Sequence, residues 1–194
     1  MEDKVTIQKE NLLKAYNQAS EEQKALLENI FGEGIFQKDI TERVKTFEDA
    51  CKILGDEHPL VKEYWGVVNI NLDITQDLIA YLKLRIIAEV LNEGWEPTLN
   101  EGECRFYPWF DLDTKEEYDN LDDSDKKYCV PLQSNGHPNT KNINGSPMYL
   151  VANVASSHSH LINGVTLTLR TRELAEYFCK QFIDIWVNFF TGRS

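Results

Sequence analysis

Residues 75–110 read TQDLIAYLKLRIIAEVLNEGWEPTLNEGECRFYPWF, and their reading decides the fold. Ile79, Leu82, Ile86 and Val90 recur at spacings of three and four, with Leu78 and Leu91 widening the stripe. Ala80, Leu84, Ile87 and Ala88 add apolar surface beside it, so the spacing predicts a helix covered by the rest of the chain. Thr75 is the predicted cap and Asp77 suits the positive end of the helix dipole. Gly94 is placed for a left-handed C-cap and Pro97 opposes continuation. The stretch from Glu103 to Phe110 then alternates as a strand. Arg105, Tyr107 and Trp109 share one face, and Cys104, Phe106 and Phe110 the other. Pro108 lacks an N–H, which predicts an edge strand or a strand end.

Upstream, residues 8–18 predict a helix with Leu12, Leu13 and Tyr16 on one side. Ser20-Glu-Glu-Gln23 matches a capping box that opens a second helix, ended by Gly32 and Gly34. This pair reads as a helical hairpin extension over residues 1–38, ahead of a main domain over 39–194. Residues 35–45 form a connector. Thr46-Phe-Glu-Asp49 opens another capped helix, and Pro59 opens the next, which runs to about Val67.

Downstream, Asp111–Lys127 holds eight acids and three lysines, five of the twelve net negative charges. Thr114-Lys-Glu-Glu117 is a further capping box. Asp111-Leu-Asp113-Thr114 fits neither a calcium loop, which wants glycine sixth and glutamate twelfth, nor a phosphoryl-transfer loop, where the threonine would stand one place later. Residues 131–147 are rich in Pro, Asn, Gly and Ser and read as a long turn-rich loop beside any functional site. Met148–Ser156 and Val165–Arg170 predict a hairpin turned at Asn163-Gly164. A helix from Arg172 to Phe190, capped by Thr171, closes the chain with an aromatic face. These elements predict an α+β fold: a small antiparallel sheet from 103–110, 148–156 and 165–170, packed on one face by the 75–93 and 172–190 helices, with an N-terminal helical extension.

The totals restrict function. The chain has 194 residues and a formal net charge of −12, with a sequence pI near 4.8. That argues against binding the nucleic-acid backbone, which needs a basic stripe. Cys51, Cys104, Cys129 and Cys179 stand singly, as reduced thiols of a cytoplasmic protein do. No N-terminal apolar segment predicts a signal peptide, and no run of 18 apolar residues predicts a membrane span.

Two candidate sites stand out. Arg105, Tyr107 and Trp109 suggest a wall for a planar or anionic small-molecule ligand, since arginine offers a fork of donors and aromatics offer stacking; Arg170 and Arg172 are candidates to join it. His158 and His160, two apart, form an HxH pair able to ligate a metal, although spacing identifies no third ligand. No cofactor motif is present.

The segments ITERVKTFEDACKILG (40–55), YLKLRIIAEVLNEGWEP (81–97), CRFYPWF (104–110) and TRELAEYFCKQFIDIW (171–186) together resemble a family of uncharacterised proteins from phages, prophages and mobile elements of gut Bacteroidales. The resemblance covers most of the chain from residue 40 onward and carries no catalytic residues. It implies a phage protein acting in a bacterial cytoplasm or packaged in a virion. Three functions stay open. The first is a non-enzymatic binding protein that captures a small, nucleotide-like or anionic ligand or docks on a host or virion protein partner. The second is a metal-dependent hydrolase or nuclease using His158, His160 and acids of 111–125. The third is a structural component acting as a homo-oligomer.

Overall fold

The computed structural model describes residues 6–70, 74–98, 102–134, 136–139, 146, 148–157 and 165–192. The fold is α+β: helices packed with a small three-stranded antiparallel sheet. The chain divides into two compact units, residues 1–42 and 43–194.

In the first unit, α1 (Lys9–Gln18) and α2 (Glu21–Phe31) are joined at Ser20, whose side chain accepts from the Gln23 N–H while the Gln23 side chain accepts from Ser20 N–H. The capping box is therefore complete. Tyr16 stacks on Phe36 at 4.2 Å, Phe31 meets Phe36 edge-on, and the Tyr16 hydroxyl donates to Glu28. A short helix, α3 (Ile40–Arg43), bridges the division in sequence.

The second unit begins with α4 (Phe47–Leu54) and α5 (Pro59–Asn69). Thr46 and Asp49 complete the second capping box, and Pro59 takes the first helical position. The central helix α6 (Gln76–Asn92) packs on both of these and on the C-terminal helix. Leu84, Ile86, Ile87, Ala88 and Leu91 are wholly buried, as the wide apolar stripe requires. Its end differs from expectation in detail. The left-handed position is Glu93, with φ 47°, and Gly94 follows at φ 80°. The carboxylate of Glu93 receives Arg170 at 2.5 Å and Arg43 at 3.6 Å.

The sheet order is β1–β3–β2, where β1 is Arg105–Asp113, β2 is Cys129–Leu132 and β3 is Met148–Ser157. The first strand runs three residues past the expected end, because Asp111–Asp113 pair with Val151–Tyr149. It is an edge strand, as Pro108 predicts. Phe106 exchanges both backbone hydrogen bonds with Leu169, at 3.1 and 2.7 Å, on the side away from β3. Strand alternation turns Pro108 the same way, so its missing N–H costs the β1–β3 ladder nothing.

The expected third strand is a correction. Residues 165–167 form a single 3-10 turn and β3 takes β2 as its second partner instead. The reason lies in Asn92 at the end of α6. Its side-chain amide donates to the Thr168 carbonyl at 2.9 Å, and its carbonyl oxygen accepts from the Arg170 N–H at 3.1 Å. The polar groups a strand would give to a ladder are thus held by a helix end. The expected turn, Asn163-Gly164, lies outside the described residues.

The last helix is also corrected: α9 (Arg172–Gln181) and α10 (Ile183–Thr191) break at Phe182, with φ −112° and ψ 27°. The first packs on β1 and β3, the second on α6. Between β1 and β2 the chain crosses as α7 (Lys115–Asp119) and α8 (Asp123–Lys126). Tyr118 of α7 stacks on the buried Tyr149 of β3 at 4.0 Å. No helix among the described residues is long and apolar enough to cross a membrane.

Candidate functional site: an apolar cleft and a polar cavity flanking the sheet

Alternation on β1 sends Phe110 toward the helices and Trp109 to the opposite face. Phe110 meets Trp186 at 5.2 Å and Phe190 at 5.1 Å. Trp186 in turn touches Phe178, Phe189 and Phe190, so the α9–α10 break feeds one aromatic cluster from both helices. Beside it Leu132, Leu150 and Val187 form a core that Phe110 and Val130 flank.

At the end of this core an apolar cleft of about 470 Å³ opens. Phe110, Leu112, Leu132, Leu150 and Phe190 line it, and Trp109 reaches it at the β1 edge. Three of these are large apolar side chains left in solvent: Trp109 is 44% exposed, Leu112 57% and Phe190 47%. Gly136 closes one side. It holds φ at +87°, and a Cβ there would stand 3.8 Å from Thr191. None of the described lining residues is charged.

A second cavity, of about 330 Å³, is polar. Asp111, Asp113 and Asp125 line it together with Arg172, Glu176 and Lys180. It lies where β2 has stopped at Cys129, opposite Val151, so beyond that point β3 has no strand on this side among the described residues. The N–H of Val154 is taken by Asn153 Oδ1 at 2.8 Å. Lys180 bonds Glu176 at 2.5 Å and stands 4.7 Å over the Tyr128 ring, with Lys127 at 4.9 Å over the same ring. Burial first, then the charges of Glu117 and Asp111, raise the Asp113 carboxyl above its ordinary value.

The residues singled out from the sequence are dispersed. Arg105 is buried, donates to the Thr98 carbonyl at 2.6 Å and lies 3.7 Å from Glu103. Tyr107 is buried too, while Trp109 alone of the three stands in solvent, donating its indole N–H to Asp111 at 3.1 Å. Arg170 is paired with Glu93, and Arg172 stands over the Phe106 ring at 6.0 Å and lines the polar cavity. The strand therefore does not present Arg105, Tyr107 and Trp109 as one wall. His158 and His160 lie outside the described residues. Among the described residues no group of three or more His, Cys, Asp or Glu is arranged to hold a metal ion. Leu112 and Phe190 were not singled out. The first sits in an acidic run and the second in an aromatic stripe, and only the fold joins them to Trp109.

Three thiols, Cys51, Cys129 and Cys179, are held toward the protonated form. Burial, then Asp113 and Asp125, push Cys129 up to about 11, and burial pushes Cys179 up to about 12. Cys51 is raised, by burial and then by Glu48 and Asp56. A nucleophilic cysteine needs the opposite shift.

No protein-family model, curated protein or solved structure matches this chain significantly.

Proposed function

We propose that this chain is a non-enzymatic binding protein and that the apolar cleft at the β1 edge is where it binds. The observation that carries this is the gathering of Trp109, Leu112 and Phe190, three exposed large apolar side chains, around one cleft. Exposed apolar surface costs free energy, and where it is contiguous and concave it marks a place where something docks. A volume of about 470 Å³ falls within the span usual for small-molecule sites. The raised thiols support binding over thiol chemistry. The occupant is a small molecule or an apolar side chain of a protein partner. The resemblance to proteins of phages and mobile elements implies a partner in a bacterial cytoplasm or a virion.

Native mass spectrometry of the protein purified from bacterial lysate, against its denatured mass, tests this reading. We expect a discrete added mass per chain, or a protein partner, that is lost on denaturation and lost in Trp109→Ala. An added mass retained in full by Trp109→Ala would remove the cleft from the account.

A further inference from the structure

Resting on the cleft being the binding site, we infer that its ligand is a small, uncharged molecule with a flat apolar body, and that the cleft rejects anions. Among the described residues, the polar side chains that line the cleft, Trp109 and Thr191, are already committed. Trp109 Nε1 donates to Asp111 at 3.1 Å, and Thr191 Oγ1 donates to the Val187 carbonyl at 2.7 Å. A ligand entering here finds rings and aliphatic groups. Phe110 and Phe190 meet at 5.1 Å with their planes 64° apart, and Trp109 stands at the mouth. Such a surface rewards a flat apolar body through burial and ring contacts.

Charge selects further. No cation lines the cleft among the described residues. Three arginines that an anion on this sheet would call on are turned elsewhere: Arg105 to Thr98 and Glu103, Arg170 to Glu93, and Arg172 to the polar cavity. A charge tied to the lining is the Asp111 carboxylate, which accepts from Trp109, and the whole chain carries −12. An anion would lose its water here and meet like charge, with no uncommitted donor among the described lining side chains.

Two fluorescent probes of one skeleton separate the alternatives: neutral N-phenyl-1-naphthylamine and its sulfonated relative 8-anilinonaphthalene-1-sulfonate. We expect the neutral probe to bind one per chain, about tenfold or more tighter than the sulfonate, because the sulfonate is desolvated without a partner. Leu112→Glu, which sets a carboxylate at an exposed lining position, is expected to weaken the neutral probe by a similar factor, and Trp109→Ala by several-fold. Both positions are exposed, and unchanged circular dichroism would confirm that the variants fold. Equal or tighter binding of the sulfonate would overturn the neutral-ligand inference while leaving the binding reading standing. Failure of both probes to bind would overturn it too, and the native mass spectrum would then judge the binding reading by itself. Neutral-probe affinity unaltered in both variants would place the probe outside the cleft and overturn the inference.

Discussion

The two cavities beside this sheet are built from the same strands and differ in what stands behind them. The apolar cleft is backed by Leu132, Leu150 and Val187 and by the ring cluster around Trp186. Its walls are an extension of the hydrophobic core, so its shape is held by packing. The polar cavity is walled by Asp111, Asp113 and Asp125 on one side and the flank of α9 on the other. Among the described residues it holds one ion pair on one helix turn, Glu176–Lys180, and a raised Asp113. A surface backed by core keeps apolar groups exposed at a standing cost, which a bound partner removes. A surface lined by charge is already served by water. That difference is why the cleft carries the functional reading although the polar cavity holds more titratable groups.

Four variants bear on the comparison, the largest effect first. Trp186→Ala removes the fully buried centre of the ring cluster and is expected to cost about 3–5 kcal/mol in urea unfolding. It should also abolish probe binding in the fraction still folded, since Phe110 and Phe190 lose their common support. Leu150→Ala opens the cleft floor and should cost about 2–5 kcal/mol, with the value telling how far the floor collapses. A cost near zero for either would mean the cleft is not continuous with the core.

Asp113→Asn probes the other cavity through pH. The folded carboxyl titrates above its unfolded value, so the fold holds the protonated form better and is penalised once Asp113 ionises. Its contribution is complete below the unfolded value, near 3.9, and is lost as pH rises through the folded value. The variant should therefore melt slightly higher than the parent at neutral pH, with the gain vanishing on acidification. A parent more stable than the variant at pH 7 would show a favourable partner for the carboxylate. The smallest effect on stability belongs to Trp109→Ala, within about 0.5 kcal/mol because the side chain is half in solvent. Its loss should be read in binding, and a large loss of stability would make Trp109 a structural residue.

Much of the fold is legible because its signals are local. The stripe of α6, the boxes at Ser20, Thr46 and Thr114 and the cap at Thr171 each rest on residues within a few positions of one another, and each forms as read. What fails is decided at a distance. Residues 165–170 alternate as a strand should, yet Asn92, more than seventy positions earlier, takes their carbonyl and N–H. The strand β2 has only four residues, one of them Pro131, at the start of a stretch whose composition says loop. The break at Phe182 has no proline or glycine to announce it. The candidate site divides likewise. Trp109 is visible from alternation, whereas Leu112 and Phe190 join it only when the fold sets Phe190 of α10 against Phe110 of β1.

If the protein binds through the apolar cleft, the polar cavity stays untouched when the cleft fills. The most direct measurement is a nitrogen–proton correlation spectrum of the protein titrated with N-phenyl-1-naphthylamine. With the probe in the cleft, the Trp109 indole N–H and the amides of Leu112, Gly136 and Thr191 shift together and saturate at one probe per chain. Shifts centred on Asn153, Arg172 and Glu176, with Trp109 unmoved, would contradict binding in the cleft.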